Sequence, residues 1–241
     1  MKKILLIIFL GTLLESCVKI NTPGGIVIWG SKETEEINFP LTNFNEILLS
    51  DKFQVTINQG ENYAVKIRTN VNLKPFLAVE KNYSVLVIKM KPDHFYKDAI
   101  LEAEVTLPQL IRLDVDGMSQ ARLEKFTFPH DMKAEISESS KLVGNVDGSR
   151  MDLLVKTGSK VDLTGTTYFL KVEGTLSAGL ELSEFRAQMA NIYLAVGSKG
   201  SFLITEKFVA ELRNESELEY RGGGQEEKVI VDETSKITKI N

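Results

Sequence analysis

The sequence predicts an all-β fold: a parallel β-helix of about seven or more coils, with an N-terminal β section in front of it. Three observations carry that expectation. A five-residue segment returns seven times in the second half of the chain. From Phe44 onward apolar residues alternate with polar ones between Gly, Asn and Asp turns, which is the period of a strand and not of a helix. The chain has 241 residues, 43% of them apolar, enough to bury a large core and to exclude wholesale disorder.

In chain order, the first element is an address. Lys2 and Lys3 form a charged start, and Ile4 to Leu14 is an apolar run of eleven residues. A stable membrane span needs about 20. Leu14-Glu15-Ser16-Cys17 then resembles a bacterial lipobox, with an apolar residue at −3, a small one at −1 and the Cys that would receive lipid. The competing reading is an ordinary cleaved signal peptide with a chance Cys. The lipid reading is preferred because the single Cys of the chain falls where that signal requires it. Lipid on Cys17 would hold the protein on a membrane. Cleavage before Cys17 removes Lys2, Lys3 and Glu15 and leaves a net charge of −5, which argues against electrostatic docking to anionic lipid. Residues 1–17 are therefore read as a lipoprotein signal peptide, 18–36 as a tether, and 37–241 as the domain. The domain divides into a β section at 37–110 and repeat coils at 111–241.

Within the tether, Pro23-Gly24-Gly25 reads as a turn. Ile26 to Trp29 reads equally as an early strand or as apolar linker. Phe53, Val55 and Ile57 then alternate with polar neighbours, Gln59-Gly60-Glu61-Asn62 turns, and Tyr63, Val65 and Ile67 alternate again. Val85 to Met90 carries apolar residues on both faces and is expected to be buried on both. Short helices are conceivable only near Val71–Pro75 and Tyr96–Ala99.

The repeat begins at Val115-Asp-Gly-Met-Ser119. It returns as Ile136-Ser-Glu-Ser-Ser140, Val155-Lys-Thr-Gly-Ser159, Val172-Glu-Gly-Thr-Leu176, Leu194-Ala-Val-Gly-Ser198, Leu212-Arg-Asn-Glu-Ser216 and Val231-Asp-Glu-Thr-Ser235. The last positions lie 21, 19, 17, 22, 18 and 19 residues apart. Apolar or Gly residues flank each copy at two positions before and two after. One such unit cannot bury its own apolar face, but stacked copies pair in parallel and bury theirs as columns. A period near 19 is too short for a propeller blade, which needs about 40 residues. Seven coils at about 4.8 Å each make a rod of about 30 Å.

Ser119, Ser140, Ser159, Ser198, Ser216 and Ser235 would form a column of hydroxyls. Small residues that suit a tight corner and bond the local backbone explain them without a ligand. The second positions form an outward column, in which Lys156 is expected beside Glu173 and Arg213 beside Asp232. This column reads as a solvated face.

The recurring apolar-x-x-Gly-Ser unit, the run Val105-Thr-Leu-Pro-Gln-Leu110 before its first copy, and Phe44-Asn-Glu-Ile47 with Phe53-Gln-Val-Thr-Ile57 resemble the putative auto-transporter adhesin, head GIN domain family, common in lipoproteins of Bacteroidota. The resemblance covers roughly residues 37–241. It implies a right-handed parallel β-helix with an N-terminal β section, no known enzyme activity and no catalytic residues. The sequence departs from the family pattern at Ser139, Thr175, Glu215 and Thr234, where Gly is usual, and at Leu176, where Ser is usual.

Motif chemistry is sparse. There is no G-x-S-x-G elbow, no phosphate-binding G-x-x-x-x-G-K-[ST] and no H-E-x-x-H. One Cys and two His give little to build a metal site from, and no cofactor is expected. A net charge of −4 without a basic block does not suit nucleic acid. An enzyme of acidic polysaccharides would need clustered carboxylates. Asp114, Asp116 and Glu135, with Lys156, are the candidates, and a solvated face is the simpler account of them. The expected role is a non-enzymatic, lipid-anchored module of the outer membrane, an adhesin. Its partners would be the membrane through lipid on Cys17 and a glycan or an envelope or host protein. The alternatives are a periplasm-facing envelope-maintenance lipoprotein and a polysaccharide-active β-helix. Val18-Lys19-Ile20-Asn21 lacks the acidic cluster associated with surface export in Bacteroidota lipoproteins, which leans toward the periplasm.

Overall fold

The computed structural model describes residues 20–22 and 25–240. The proposed signal segment and Cys17 lie outside the described residues. Strand β1 (Ile20–Thr22) pairs antiparallel with β2 (Gly25–Trp29), so Ile26 to Trp29 is a strand. Next come β3 (Thr34–Asn38), β4 (Glu46–Leu49), β5 (Gln54–Gln59), β6 (Ala64–Asn70) and a 3₁₀ turn at Val71–Phe76. β7 (Leu77–Asn82), β8 (Val85–Met90), β9 (His94–Lys97) and β10 (Leu101–Leu107) complete the first half. The short helix expected near Tyr96–Ala99 does not form. His94 and Tyr96 are half-buried while Phe95 and Lys97 are exposed, which is strand alternation.

The second half holds β11 (Arg112–Val115), β12 (Gln120–Phe128), β13 (Met132–Ile136), β14 (Lys141–Lys156) and β15 (Lys160–Thr175). It closes with β16 (Gly179–Ala195), β17 (Lys199–Arg213), β18 (Glu217–Arg221), β19 (Gln225–Val231) and β20 (Lys236–Lys239). From β11 on, each strand pairs in parallel with the strands one coil before and after it. A coil is one strand, a tight corner, and a second strand that bends into the next coil. This is the expected parallel β-helix.

Two inward columns build the core. Before the corners stand Leu113, Ala134, Leu153, Val172, Ile192 and Ala210; after them stand Ala121, Leu142, Val161, Leu180 and Leu218, all buried. Burying such a side chain contributes about 1.5–3 kcal/mol for the larger ones. Gly200 continues the second column, and a Cβ there would meet the Phe202 ring at 2.5 Å, so the missing side chain makes room for that ring.

The register corrects one copy of the repeat. Val155 pairs with Gly174, and Gly174 with Leu194. The fourth unit is therefore Gly174-Thr-Leu-Ser-Ala178, two residues later than its sequence alignment, and the residue in the Ser column is Ala178, not Leu176. The slip has a physical origin: Gly174 is an inward residue with no side chain to reveal it. A Cβ there would meet Leu194 Cδ2 at 2.8 Å and Leu180 Cδ1 at 3.1 Å, so neighbouring coils fill its place.

The first six of the seven corners share one backbone. Two consecutive residues in each have positive φ: Gly117 and Met118, Glu138 and Ser139, Thr157 and Gly158, Leu176 and Ser177, Val196 and Gly197, Asn214 and Glu215. Left-handed backbone costs a non-Gly residue about 1–2 kcal/mol. Stacking compensates. The N–H of the second residue donates to the carbonyl of the first one coil on: Met118 to Glu138 at 3.0 Å, Ser139 to Thr157 at 2.9 Å, Gly158 to Leu176 at 2.8 Å, Ser177 to Val196 at 2.9 Å and Gly197 to Asn214 at 2.8 Å.

A further corner precedes the seven. β4 pairs in parallel with β11, and β5 with β12. Between them Asp51 and Lys52 have φ of 63° and 69°, and Lys52 N–H donates to Gly117 O at 2.9 Å. Leu49-Ser50-Asp51-Lys52-Phe53 is thus a coil corner with Phe53 in the Ser position. The residues between β5 and β11, together with β3, form a cap. β8 pairs with β4 and β10 with β5 as parallel rungs, and the antiparallel strands β7, β6 and β3 close the stack. Within it Leu86, Val87 and Ile88 are all buried, as expected for a strand covered on both faces. At the other end β19 and β20 are the last rungs, and their inward Val229, Val231 and Ile237 are only partly buried.

Candidate functional site

The Ser column is structural. Ser119, Ser140, Ser159, Ser198 and Ser216 are buried. Ser119 N–H donates to Ser140 Oγ and Ser140 N–H to Ser159 Oγ, both at 3.1 Å. Ala178 N–H donates to Ser198 Oγ at 3.2 Å and Ser216 N–H to Ser235 Oγ at 3.1 Å. The hydroxyls of Ser198 and Ser216 donate to the carbonyls of Ala195 and Arg213 at 2.7 and 2.6 Å. The hydroxyls of Ser140, Ser159, Ser198 and Ser235 therefore each tie their corner to the coil in front, and that of Ser216 braces its own corner. Ser119 Oγ, whose coil in front carries Phe53, is buried without a partner among the described residues.

The candidate carboxylates lie on the outer face of the strands that precede the corners, Asp114 on β11 and Glu135 on β13. Asp114 and Glu135 are on adjacent rungs, as the spacing implied. Each has a cation of its own. Arg112 lies two residues before Asp114 on the same strand face and donates to both of its oxygens, Nε at 3.0 Å and Nη2 at 2.7 Å. Those bonds raise the Arg112 pKa. Lys156 Nζ contacts Glu135 at 2.6 Å. Arg150 does the same for Asp152 at 2.8 Å, with Asp131 at 3.8 Å. Asp116 sits beside the corner and is not drawn into these pairs. The two cross-coil pairs expected in the outward column do not form. Register places Thr175, not Glu173, opposite Lys156, and Arg213 turns to Glu211 at 3.1 Å. The result is a shallow groove of about 520 Å³ that mixes both signs. Such a face can meet a polar ligand at many points. Within it Asp114 and Glu135 each hold a cation.

A second feature is assembled from distant segments. β9 pairs in parallel with β2, opposing Val27 to Phe95 and Trp29 to Lys97. Ile28 and Tyr96 point inward. Burial, with the Asp51 carboxylate nearby, pushes the Tyr96 phenol up to about 12. Trp29 and Phe95 stay 40% and 55% exposed, and Met118, from the corner of the second coil, stays 58% exposed. Lys97 Nζ lies 5.0 Å from the Trp29 ring centroid. These residues border a cleft of about 750 Å³ whose rim also carries Asp51, Lys52 and Asp98. Sequence reading missed it. Trp29 stood in a segment that could have been linker, and nothing local joins it to Phe95 or Met118.

Among the described residues, no helix is long and apolar enough to cross a membrane, and no group of three or more His, Cys, Asp or Glu is placed to hold a metal.

Residues 43–224 match the family model described as "Putative auto-transporter adhesin, head GIN domain". No curated protein matches the chain. Among solved structures, one described as a putative adhesin from Bacteroides fragilis NCTC 9343 has a TM-score of 0.82 at 15% identity, over 88% of this chain and 100% of that one. One described as a putative lipid binding protein from Parabacteroides distasonis ATCC 8503 has a TM-score of 0.71 at 16% identity, over 89% and 100%. A putative adhesin from Parabacteroides merdae ATCC 43184 has a TM-score of 0.66 at 13% identity, over 89% and 99%. At these identities the likeness is one of fold.

Proposed function

The chain belongs to the putative auto-transporter adhesin, head GIN domain family, and on that premise we propose that it is a non-enzymatic binding module of the cell envelope, held to the outer membrane by lipid on Cys17. One observation carries the non-enzymatic part. The candidate carboxylates Asp114 and Glu135 are each paired with a cation of their own sheet. The broad charged face of stacked strands suits an extended polar partner, a glycan or an envelope or host protein. The descriptions of its structural neighbours, a putative adhesin and a putative lipid binding protein, fit a binding role.

The test is protease treatment of intact cells, with a periplasmic protein as control. Loss of this protein while the control survives supports adhesion at the surface and directs the search to glycan and matrix-protein arrays. Full protection, reversed by lysis, overturns adhesion and favours a periplasm-facing envelope role. The second outcome is the one that Val18-Lys19-Ile20-Asn21 favours, since it carries no acidic cluster. The polysaccharide-enzyme reading would need an activity abolished by Asp114→Asn and Glu135→Gln.

A further inference from the structure

We propose that the outer face of the β1–β2–β9 sheet, with Trp29 and Phe95 on it and Met118 beside it, is a membrane footprint that seats the domain on the interfacial layer of the bilayer. The proposal rests on the lipid-anchor reading above and adds where on the fold the membrane lies.

The first argument is chemical. Three large apolar side chains, Trp29, Phe95 and Met118, stay exposed around one cleft although each comes from a different segment. Alternation along β2 and β9 makes the patch. Ile28 and Tyr96 turn to the core, so Trp29, Phe95 and Lys97 must face outward. Phe95 packs against Gly25, whose Cβ would come within 3.1 Å of the ring, so the missing side chain leaves room for it. An indole with an ammonium over its face, on a long apolar stem, is suited to the boundary between acyl chains and headgroups. The rim carries Lys52 and Lys97 against Asp51 and Asp98. It has no cationic excess, so it would seat on zwitterionic lipid without a requirement for anionic headgroups.

The second argument is chain length. Cys17 precedes Ile20, the first residue of β1, by three positions. Three residues reach at most about 11 Å. β1 is itself an edge of this sheet, paired to β2 through Ile20 and Val27. Acyl chains on Cys17 therefore enter the bilayer within one short step of the sheet that carries the apolar patch.

Trp29 is the single tryptophan of the chain, so its fluorescence reports on the patch directly. The full-length protein is purified from membranes, Cys17 acylation is read by mass spectrometry, and the protein is reconstituted into phosphatidylcholine vesicles. Phosphatidylcholine brominated high on the acyl chain is expected to quench Trp29 at least twofold, and aqueous iodide to quench several-fold less than in the Phe95→Ser/Met118→Ser variant. Acylated protein whose Trp29 ignores the brominated lipid and is fully open to iodide overturns the footprint and leaves the anchor standing. Unacylated protein that ignores the brominated lipid overturns both, whereas unacylated protein that is still quenched supports the footprint alone. If a soluble glycan shields Trp29 from iodide and vesicles do not, the patch is a ligand site and the footprint is wrong.

Discussion

Ala178 donates its N–H to the Ser198 hydroxyl at 3.2 Å but has no hydroxyl to offer Ser159, one coil in front. At Ser140 the corresponding N–H has two acceptors, Ser159 Oγ at 3.1 Å and Ser137 O at 3.2 Å. Ser159 N–H has only Lys156 O at 3.2 Å. Ala178→Ser should therefore raise stability by about 0.5–1 kcal/mol, and Ser159→Ala should lower it by about 1–2 kcal/mol. Urea unfolding followed by circular dichroism checks both, and destabilisation by Ala178→Ser would show that the corner has no room for the hydroxyl.

Val196 holds a φ of 55°, a conformation that β-branched residues avoid. Val196→Asn should stabilise by about 0.5–1 kcal/mol, because Asn tolerates left-handed backbone. Gly197, with φ of 68°, should respond in the opposite sense, Gly197→Ala costing about 1 kcal/mol. Thermal melts of the two variants give the comparison, and equal shifts of one sign would contradict it.

The last corner bonds differently from the others. The Asp232 carboxylate accepts the Asn214 N–H at 2.6 Å and the Thr234 N–H at 3.1 Å. These bonds, led by that from Asn214, hold its pKa well below the usual carboxylate range. A depressed folded pKa contributes stability above the unfolded value, near 4, which is lost as pH falls through the folded one. Asp232→Asn should thus destabilise most at neutral pH, and its difference from wild type should shrink below about pH 4. Denaturation midpoints across that range measure it.

Two of the six tyrosines should titrate late. Tyr96 is pushed up to about 12 by burial and Asp51, and Tyr220 to about 12 by its hydrogen bond to Glu226 and by burial. A raised phenol pKa stabilises the fold below the unfolded value, about 10, and that contribution is lost as pH climbs through about 12. Phenolate absorbance should therefore still be rising near pH 12, and Tyr220→Phe should remove part of that late rise.

The sequence made the coil period legible because inward residues recur wherever a coil must bury them, as at Leu113, Leu153 and Ile192. It failed at Gly174, where the inward position holds no side chain, so the apolar Val172 took its place. It also failed at Leu49 to Phe53. That corner has the same backbone as the others, but Phe53 replaces Ser and the cap strands separate it from the next copy. The adjacency of Asp114 and Glu135 could be read from spacing. Their neutralisation was also legible in part, since Arg112 and Asp114 are two apart on one strand and share a face. The Trp29–Phe95–Met118 patch could not be read at all, because only the cap's topology brings those segments together.

Backbone hydrogen bonds join each corner to the coils on either side of it, so coil is stacked on coil along the whole repeat. Such a stack behaves as a ruler with a repeated graduation. Inserting or deleting a unit such as residues 141–159 changes its length by about 4.8 Å and leaves the cap untouched. Selection can therefore set the reach of this domain by duplication alone, without redesigning a fold.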